Sequence, residues 1–255
     1  MTSVPVSVMA ADVEHESLWV ILKIISAKTK ALAACEDFLE MRGIYCSGLL
    51  GKGAAGMLDL HDPGISVRKR WLILTKGVGF APAVNLIRWA AGRIDIHVIA
   101  DPEKVGDDVI RQQFRTWRPE SHSSEGGHFR LEFQSLAKLL EQPAAASPLQ
   151  QTDSIITVPP TTALHTSGSH DPDLKAPCLQ QTDYDRIFLL ASDYYIKRLS
   201  AVMKIPPEKL VFCNNFHLCC GEGICGACGH VDAKGNLRKM CKCREFSALD
   251  LLLPE

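Results

Sequence analysis

Residues Arg70–Gly92 read RWLILTKGVGFAPAVNLIRWAAG, and the fold turns on this stretch. After a basic lead-in, Trp71 to Leu74 form an unbroken apolar run, which predicts a strand buried on both faces. Two glycines, Gly77 and Gly79, then punctuate the chain. From Phe80 onward the apolar residues return at helical spacing, which predicts an amphipathic helix. The pattern repeats. IDIHVIAD (Ile94–Asp101) reads as a second strand, and EKVGDDVIRQQFRTW (103–117) as a helix starting after Pro102. YDRIFLLASDYYIKRLSAVM (Tyr184–Met203) reads as a later strand and helix of the same sheet. Strands alternating with helices predict parallel βαβ units over residues 67–210.

The flanking segments differ. LWVILKII (Leu18–Ile25) is rich in β-formers and predicts a strand. A short apolar stretch surrounds DFLEMRGIY, and glycines crowd Gly43 to Gly56. Residues 1–66 are therefore expected to form a small antiparallel unit. Residues 142–182 are rich in Pro, Ser, Thr, Ala and Gln. Such a composition buries too little apolar surface to offset chain ordering, so a flexible insertion is expected there.

With 46% apolar and 22% charged residues the chain has a globular composition, and its formal charge of -1 offers no general attraction to nucleic acid or anionic lipid. Leu18–Ile25 is interrupted by Lys23 and is far too short to span a bilayer. No basic-then-apolar signal peptide opens the chain, so the cytoplasm is the expected compartment. Thiols stay reduced there, and a dense cysteine group then points to metal rather than disulfides.

Such a group exists. CNNFHLCCGEGICGACGHVDAKGNLRKMCKC (Cys213–Cys243) holds seven of the chain's ten cysteines. Cys220, Cys225, Cys228 and Cys241 stand as C-x4-C-x2-C-x12-C, and the first three match the spacing of plant-type [2Fe–2S] proteins. Two sulfide-bridged irons need four thiolates, three from a tight turn and one from a returning strand. Gly221, Gly223, Gly226 and Gly229 let the backbone wrap closely and turn its N–H groups toward the sulfurs. Lys234, Arg238, Lys239, Lys242 and Arg244 offset the cluster's negative charge or dock an acidic redox partner. Structural zinc and unligated thiols are the alternatives, although zinc sites usually show two close-spaced pairs. Cys219 and Cys243 adjoin the first and fourth positions and are possible substitutes for them.

Taken with TKGVGFAPAVNLIRWA, the loop CGEGICGAC resembles that of the electron-transfer subunit of two-subunit dihydroorotate dehydrogenase and its relatives in sulfide dehydrogenase and bifurcating transhydrogenase. The resemblance implies a ferredoxin-NADP-reductase-like α/β fold with a partial antiparallel β-barrel at 1–66. It also implies a nucleotide-binding α/β domain at 67–210 and a small [2Fe–2S] domain at 211–255. The cofactors implied are the cluster, FAD and NAD(P). The partner implied is a larger catalytic oxidoreductase subunit, or a ferredoxin or other redox protein.

The departures from the family are specific. Its Arg-Pro-x-Ser flavin motif reads Val4-Pro5-Val6-Ser7, and its Gly-x-x-Thr reads Ser26-Ala27-Lys28-Thr29. Ser7 and Thr29 are the flavin residues carried over, and the strands that precede the motif in the family are missing. Its Gly-Gly-x-Gly reads Lys76-Gly77-Val78-Gly79, so Gly77, Val78, Gly79, Ala81 and Pro82 are the nucleotide-turn residues carried over. Lys76 is read as a phosphate contact or a solvated lysine, and Asp101 as a helix-capping acid ahead of a ribose ligand. Ala191-Ser192-Asp193 replaces a Cys-Gly-Pro-type turn. The expected role is therefore an accessory electron-transfer subunit with no catalytic acid or base. A stand-alone FAD-dependent NAD(P)H:acceptor reductase and a zinc-stabilised assembly module are the rival expectations.

Overall fold

A computed structural model of the chain describes residues 6, 8–24, 26–36, 48–54, 69–90, 92–102, 110, 128–141, 156–157, 183–213, 220, 222–232 and 234–242. The expected helix at 103–117, apart from Ile110, lies outside them, as do Ser7, Cys219 and Cys243.

The run Trp71–Leu74 sits in strand β4 (Arg70–Lys76), where all four residues are 1% exposed or less. A strand so thoroughly covered belongs in the middle of a sheet. It pairs in parallel with β5 (Asp95–Asp101) on one side and β8 (Arg186–Leu190) on the other. Beyond β5 comes β6 (Phe129–Phe133), parallel to it, and then the antiparallel edge strand β7 (Ile156–Thr157). Beyond β8 comes β9 (Leu210–Cys213), parallel, and then antiparallel β3 (Leu49–Leu50). The seven-stranded order is β3-β9-β8-β4-β5-β6-β7. The fold is thus α/β with a mostly parallel sheet, as the strand–helix alternation predicted.

Alternate residues of each strand feed two cores. On one face helix α2 (Phe80–Ala90) packs Phe80, Ala83, Leu86, Ile87 and Ala90 against Trp71, Ile73, Val98 and Phe188. The Trp71 ring lies 4.7 Å from that of Phe188 and stacks 6.0 Å from that of Trp89. On the other face, helices α3 (Leu136–Glu141) and α4 (Asp193–Val202) pack Leu136, Ile196 and Leu199 against Leu72, Leu74, Ile99 and Leu189. Toward the amino ends of the strands this second face turns polar. His97 Nδ1 bonds the Tyr184 hydroxyl at 2.8 Å, and its Nε2 bonds Glu132 at 3.1 Å. Burial pushes the Glu132 carboxyl up, but the His97 hydrogen bond and the charges of His97 and Arg130 hold it below its ordinary value. The network ties β5 to β6 and to the approach to β8.

The amino-terminal part departs from expectation in three ways. The strand predicted over Leu18–Ile25 ends at Val20: β1 (Val8–Asp12) and β2 (Ser17–Val20) make a two-stranded antiparallel sheet. The chain leaves the strand there, and Ile21 packs with Met9, Ala81 and Val84, so the hairpin lies on α2. Among the described residues no barrel closes: β1–β2 stands as its own sheet, while β3 pairs into the α/β sheet instead. Residues 27–33 form a helix, α1 (Ala27–Ala33), that the strand-rich reading missed. Within the expected insertion at 142–182, Ile156 and Thr157 pair with Leu131 and Arg130, because the edge of β6 offers unpaired backbone groups. No helix among the described residues is long and apolar enough to cross a membrane.

Candidate functional site

The sheet runs outward from β4 in both directions, to β5 and β6 on one side and to β8 and β9 on the other. The carboxyl ends of β4 and β8 therefore flank a topological switch point, where open α/β sheets place ligands. The turn after β4 lies at this edge.

The turn Gly77–Gly79 is a 3₁₀ turn that runs directly into α2. Gly77 has φ of +55°, which favours glycine. Gly79 is required for a different reason. A Cβ there would lie 1.9 Å from the Leu190 carbonyl oxygen and 2.7 Å from its carbon, so the glycine admits the backbone of β8. Val78 is exposed, Ala81 is buried against Met9 and Val84, and Pro82 is half-buried.

Lys76 and Asp101 meet each other across the strand ends, and Asp101 is the helix-capping acid it was expected to be. They are register partners on β4 and β5, and Lys76 Nζ donates to Asp101 Oδ2 at 2.7 Å. The same carboxylate oxygen accepts the Leu136 N–H at 2.8 Å, at the start of α3. The Lys76 ammonium also stands 5.2 Å from the centroid of the Tyr195 ring, on α4. Lys76 thus joins β5 and α4 across the strand ends, and Asp101 acts as a remote cap of α3. Both side chains are largely buried, at 16% and 7% exposure. Removing one partner strands the other charge, so Lys76→Met is expected to cost about 2 kcal/mol in urea unfolding, less than a fully buried pair would.

Thr29 is not presented to a flavin. It is the third residue of α1, and its hydroxyl accepts the Ser26 N–H at 3.0 Å while Ser26 Oγ accepts the Thr29 N–H at 3.3 Å. This is a capping box, and it accounts for serine at the position where the resemblance expects glycine.

The cysteine segment is built around an antiparallel hairpin, β10 (Gly229–Val231) and β11 (Leu237–Lys239). Cys228 precedes β10, and Cys241 follows β11 in a 3₁₀ turn. Both are 3% exposed and sit in the core with Leu50, Phe212, Ile196 and Met240. The Cys241 N–H reaches Cys228 Sγ at 3.5 Å, and burial together with the Cys228 thiol holds the Cys241 thiol above its ordinary value. Cys220 and Cys225 lie in a more open position. The backbone N–H groups of Cys225, Glu222 and Ile224, with the Cys225 side chain, pull the Cys220 thiol down to about 6. The Glu222 N–H reaches Cys220 Sγ at 3.3 Å. Gly223 and Gly226, at φ of +75° and +72°, allow the loop this path.

Of the four predicted ligands, Cys228 and Cys241 are joined by a hydrogen bond, and Cys220 and Cys225 lie on the loop that precedes them. Among the described residues no three His, Cys, Asp or Glu side chains converge as a single metal ion would require. A mononuclear tetrahedral centre needs four donors on one point. A dinuclear cluster needs two thiolates on each of two irons.

Sequence reasoning missed Asp232 and Tyr195. The signal for Asp232 was present in DAKGN (232–236), since an Asp two residues before an unpaired N–H commonly forms an Asx turn. The Asn236 backbone N–H above all, opposed by desolvation and helped by Arg238, the Asn236 side chain and the Lys234 N–H, lowers the Asp232 carboxyl from 3.8 to about 2. A depressed carboxyl stabilises the hairpin fully above its unfolded value and loses that contribution as pH falls through the folded one. The protection of β10 and β11 amides in the metal-free chain, taken relative to their intrinsic exchange rates, should therefore fall as pH drops from about 4 toward 2. Asp232→Asn should remove that acid limb.

Compared with models of protein families, with curated proteins and with solved structures, the chain finds no match.

Proposed function

We propose that this chain is the iron–sulfur electron-transfer subunit of a larger oxidoreductase, with Cys220, Cys225, Cys228 and Cys241 holding a [2Fe–2S] cluster. One observation carries the reading: on a C-x4-C-x2-C-x12-C spacing, the fold returns Cys241 to Cys228, with the Cys241 N–H 3.5 Å from Cys228 Sγ. When bound, such a cluster carries a single electron. Cys228 and Cys241 anchor it in the core, and the more exposed Cys220 and Cys225 face outward, so electrons pass through their side. The N–H groups directed at Cys220 Sγ offset thiolate charge there. The aliphatic stems of Lys239 and Lys242 lie against Gly223, with Lys242 Cγ at 3.2 Å from where a Cβ would be, which brings positive charge to the same loop.

The ferredoxin-reductase-like reading of the sheet rests on the resemblance carried by CGEGICGAC and TKGVGFAPAVNLIRWA. Flavin and nicotinamide are assigned to a partner chain on two grounds. Lys76 is engaged with Asp101 instead of facing a phosphate, and the Thr29 hydroxyl caps α1. A catalytic partner subunit supplies the substrate site.

Anaerobic purification followed by iron, sulfide and zinc analysis tests the reading. About two irons and two labile sulfides per chain, with a paramagnetic signal after dithionite, are expected. A colourless preparation with one zinc would show the proposal to be wrong. Stoichiometric flavin bleached by NADH would instead establish a stand-alone reductase.

A further inference from the structure

Neither strand of the hairpin that joins Cys228 to Cys241 has a buried residue to hold its register. β10 and β11 pair over three residues each, Gly229 with Lys239, His230 with Arg238 and Val231 with Leu237. All six residues are exposed or half-buried. In most sheets the buried face specifies register, because a slip of one residue throws every side chain to the opposite face. This hairpin lacks such a face, and a slip would carry Cys241 away from Cys228.

One carboxylate supplies the constraint. Asp232 Oδ1 accepts the Asn236 N–H at 2.8 Å and the Lys234 N–H at 3.0 Å. Asp232 Oδ2 accepts Arg238 Nε at 3.0 Å and Asn236 Nδ2 at 3.4 Å. Its backbone closes the same turn, the Asp232 N–H donating to the Asn236 carbonyl and the Gly235 N–H to the Asp232 carbonyl. Arg238 lies within β11, so the carboxylate grips the turn and the returning strand together. At the open end the register then brings the Met240 N–H to the Cys228 carbonyl at 3.0 Å and the Cys241 N–H to Cys228 Sγ at 3.5 Å.

We propose that Asp232, with Arg238, is the positioning residue of the candidate metal centre: it pins the β10–β11 register and thereby sets Cys241 beside Cys228. The inference rests on the [2Fe–2S] reading. Its action is on the sulfur pair, through the hairpin, and not on the cluster directly.

The test compares the full-length chain with Asp232→Ala, Asp232→Asn and Arg238→Gln after anaerobic reconstitution with iron and sulfide. The readouts are the rate of iron loss to a chelator, the electron paramagnetic spectrum of the reduced protein, and the far-ultraviolet thermal midpoint. Asp232→Ala should lose iron roughly tenfold faster, with an altered spectrum, as supporting residues of metal sites usually show. Asp232→Asn keeps an oxygen for the backbone N–H groups and should recover part of the loss. The thermal midpoint of the sheet should stay where it is. A loaded Asp232→Ala protein with the parent's chelation rate and spectrum overturns this inference alone. A parent chain that takes up no iron overturns the cluster reading, and this inference with it. If Asp232→Ala unfolds, Arg238→Gln decides, because that side chain is 51% exposed and outside the core. Parental behaviour in Arg238→Gln would overturn the pinning role.

Discussion

Cys228→Ala is expected to abolish the [2Fe–2S] signal while leaving the α/β sheet folded. Cys228 is 3% exposed, is hydrogen-bonded to Cys241, and packs among Leu50, Phe212 and Met240. Alanine supplies no ligand, so one iron keeps a single protein donor and the cluster is lost. The fold is expected to survive, since replacing one small buried thiol removes little apolar area and the sheet core lies mostly in other residues. The check is iron and sulfide content falling from about two of each per chain to near zero, with an unchanged far-ultraviolet spectrum. Cys35→Ser, which alters an exposed thiol on the amino-terminal side, should keep full content. Retention of the parent's iron, sulfide and paramagnetic signal in Cys228→Ala would exclude the ligand assignment.

Gly79→Ala carries the largest expected effect on stability, about 4 kcal/mol, read as a lower urea midpoint with an unchanged slope. The added Cβ would stand 1.9 Å from the Leu190 carbonyl oxygen and 3.1 Å from Thr75 Oγ1. The first of these neighbours is backbone in a central strand and cannot swing aside as a flexible side chain would. Relief requires β4 and β8 to separate at their carboxyl ends, through residues 1% exposed or less. Gly77→Ala provides the contrast. It meets a left-handed conformation at φ of +55°, which costs about 1–2 kcal/mol. If Gly79→Ala lost less than Gly77→Ala, the turn after β4 would not be packed on β8, and its glycine would be explained by ligand approach instead.

These two substitutions mark how far local pattern reaches. The strand at Arg70–Lys76, the following helix and the strand at Arg186–Leu190 were legible because burial on both faces and helical periodicity are written in adjacent residues. The β6 strand and α3 were not read, since Phe129–Phe133 alternates charge with apolar residues and α3 has only six. The glycines at 77 and 79 were legible as a turn, but their reasons were not: one answers to φ, the other to a strand more than a hundred residues away. Thr29 was read as a flavin contact on motif spacing, although Ser-x-x-Thr is equally the pattern of a helix cap. Asp101 was legible as a helix-capping acid, but its ion pair with Lys76 was not, because nothing in their spacing reveals that parallel strands place them in register.

By itself the sequence determined the α/β class and the four-thiol spacing, since both depend on residues within a few turns of one another. Only the tertiary structure decided that Leu49–Leu50 joins the far edge of the sheet, that Lys76 closes on Asp101, and that Cys241 returns to Cys228. Those outcomes come from backbone pairing and burial between distant segments, where the choice of partner is a property of the packed whole.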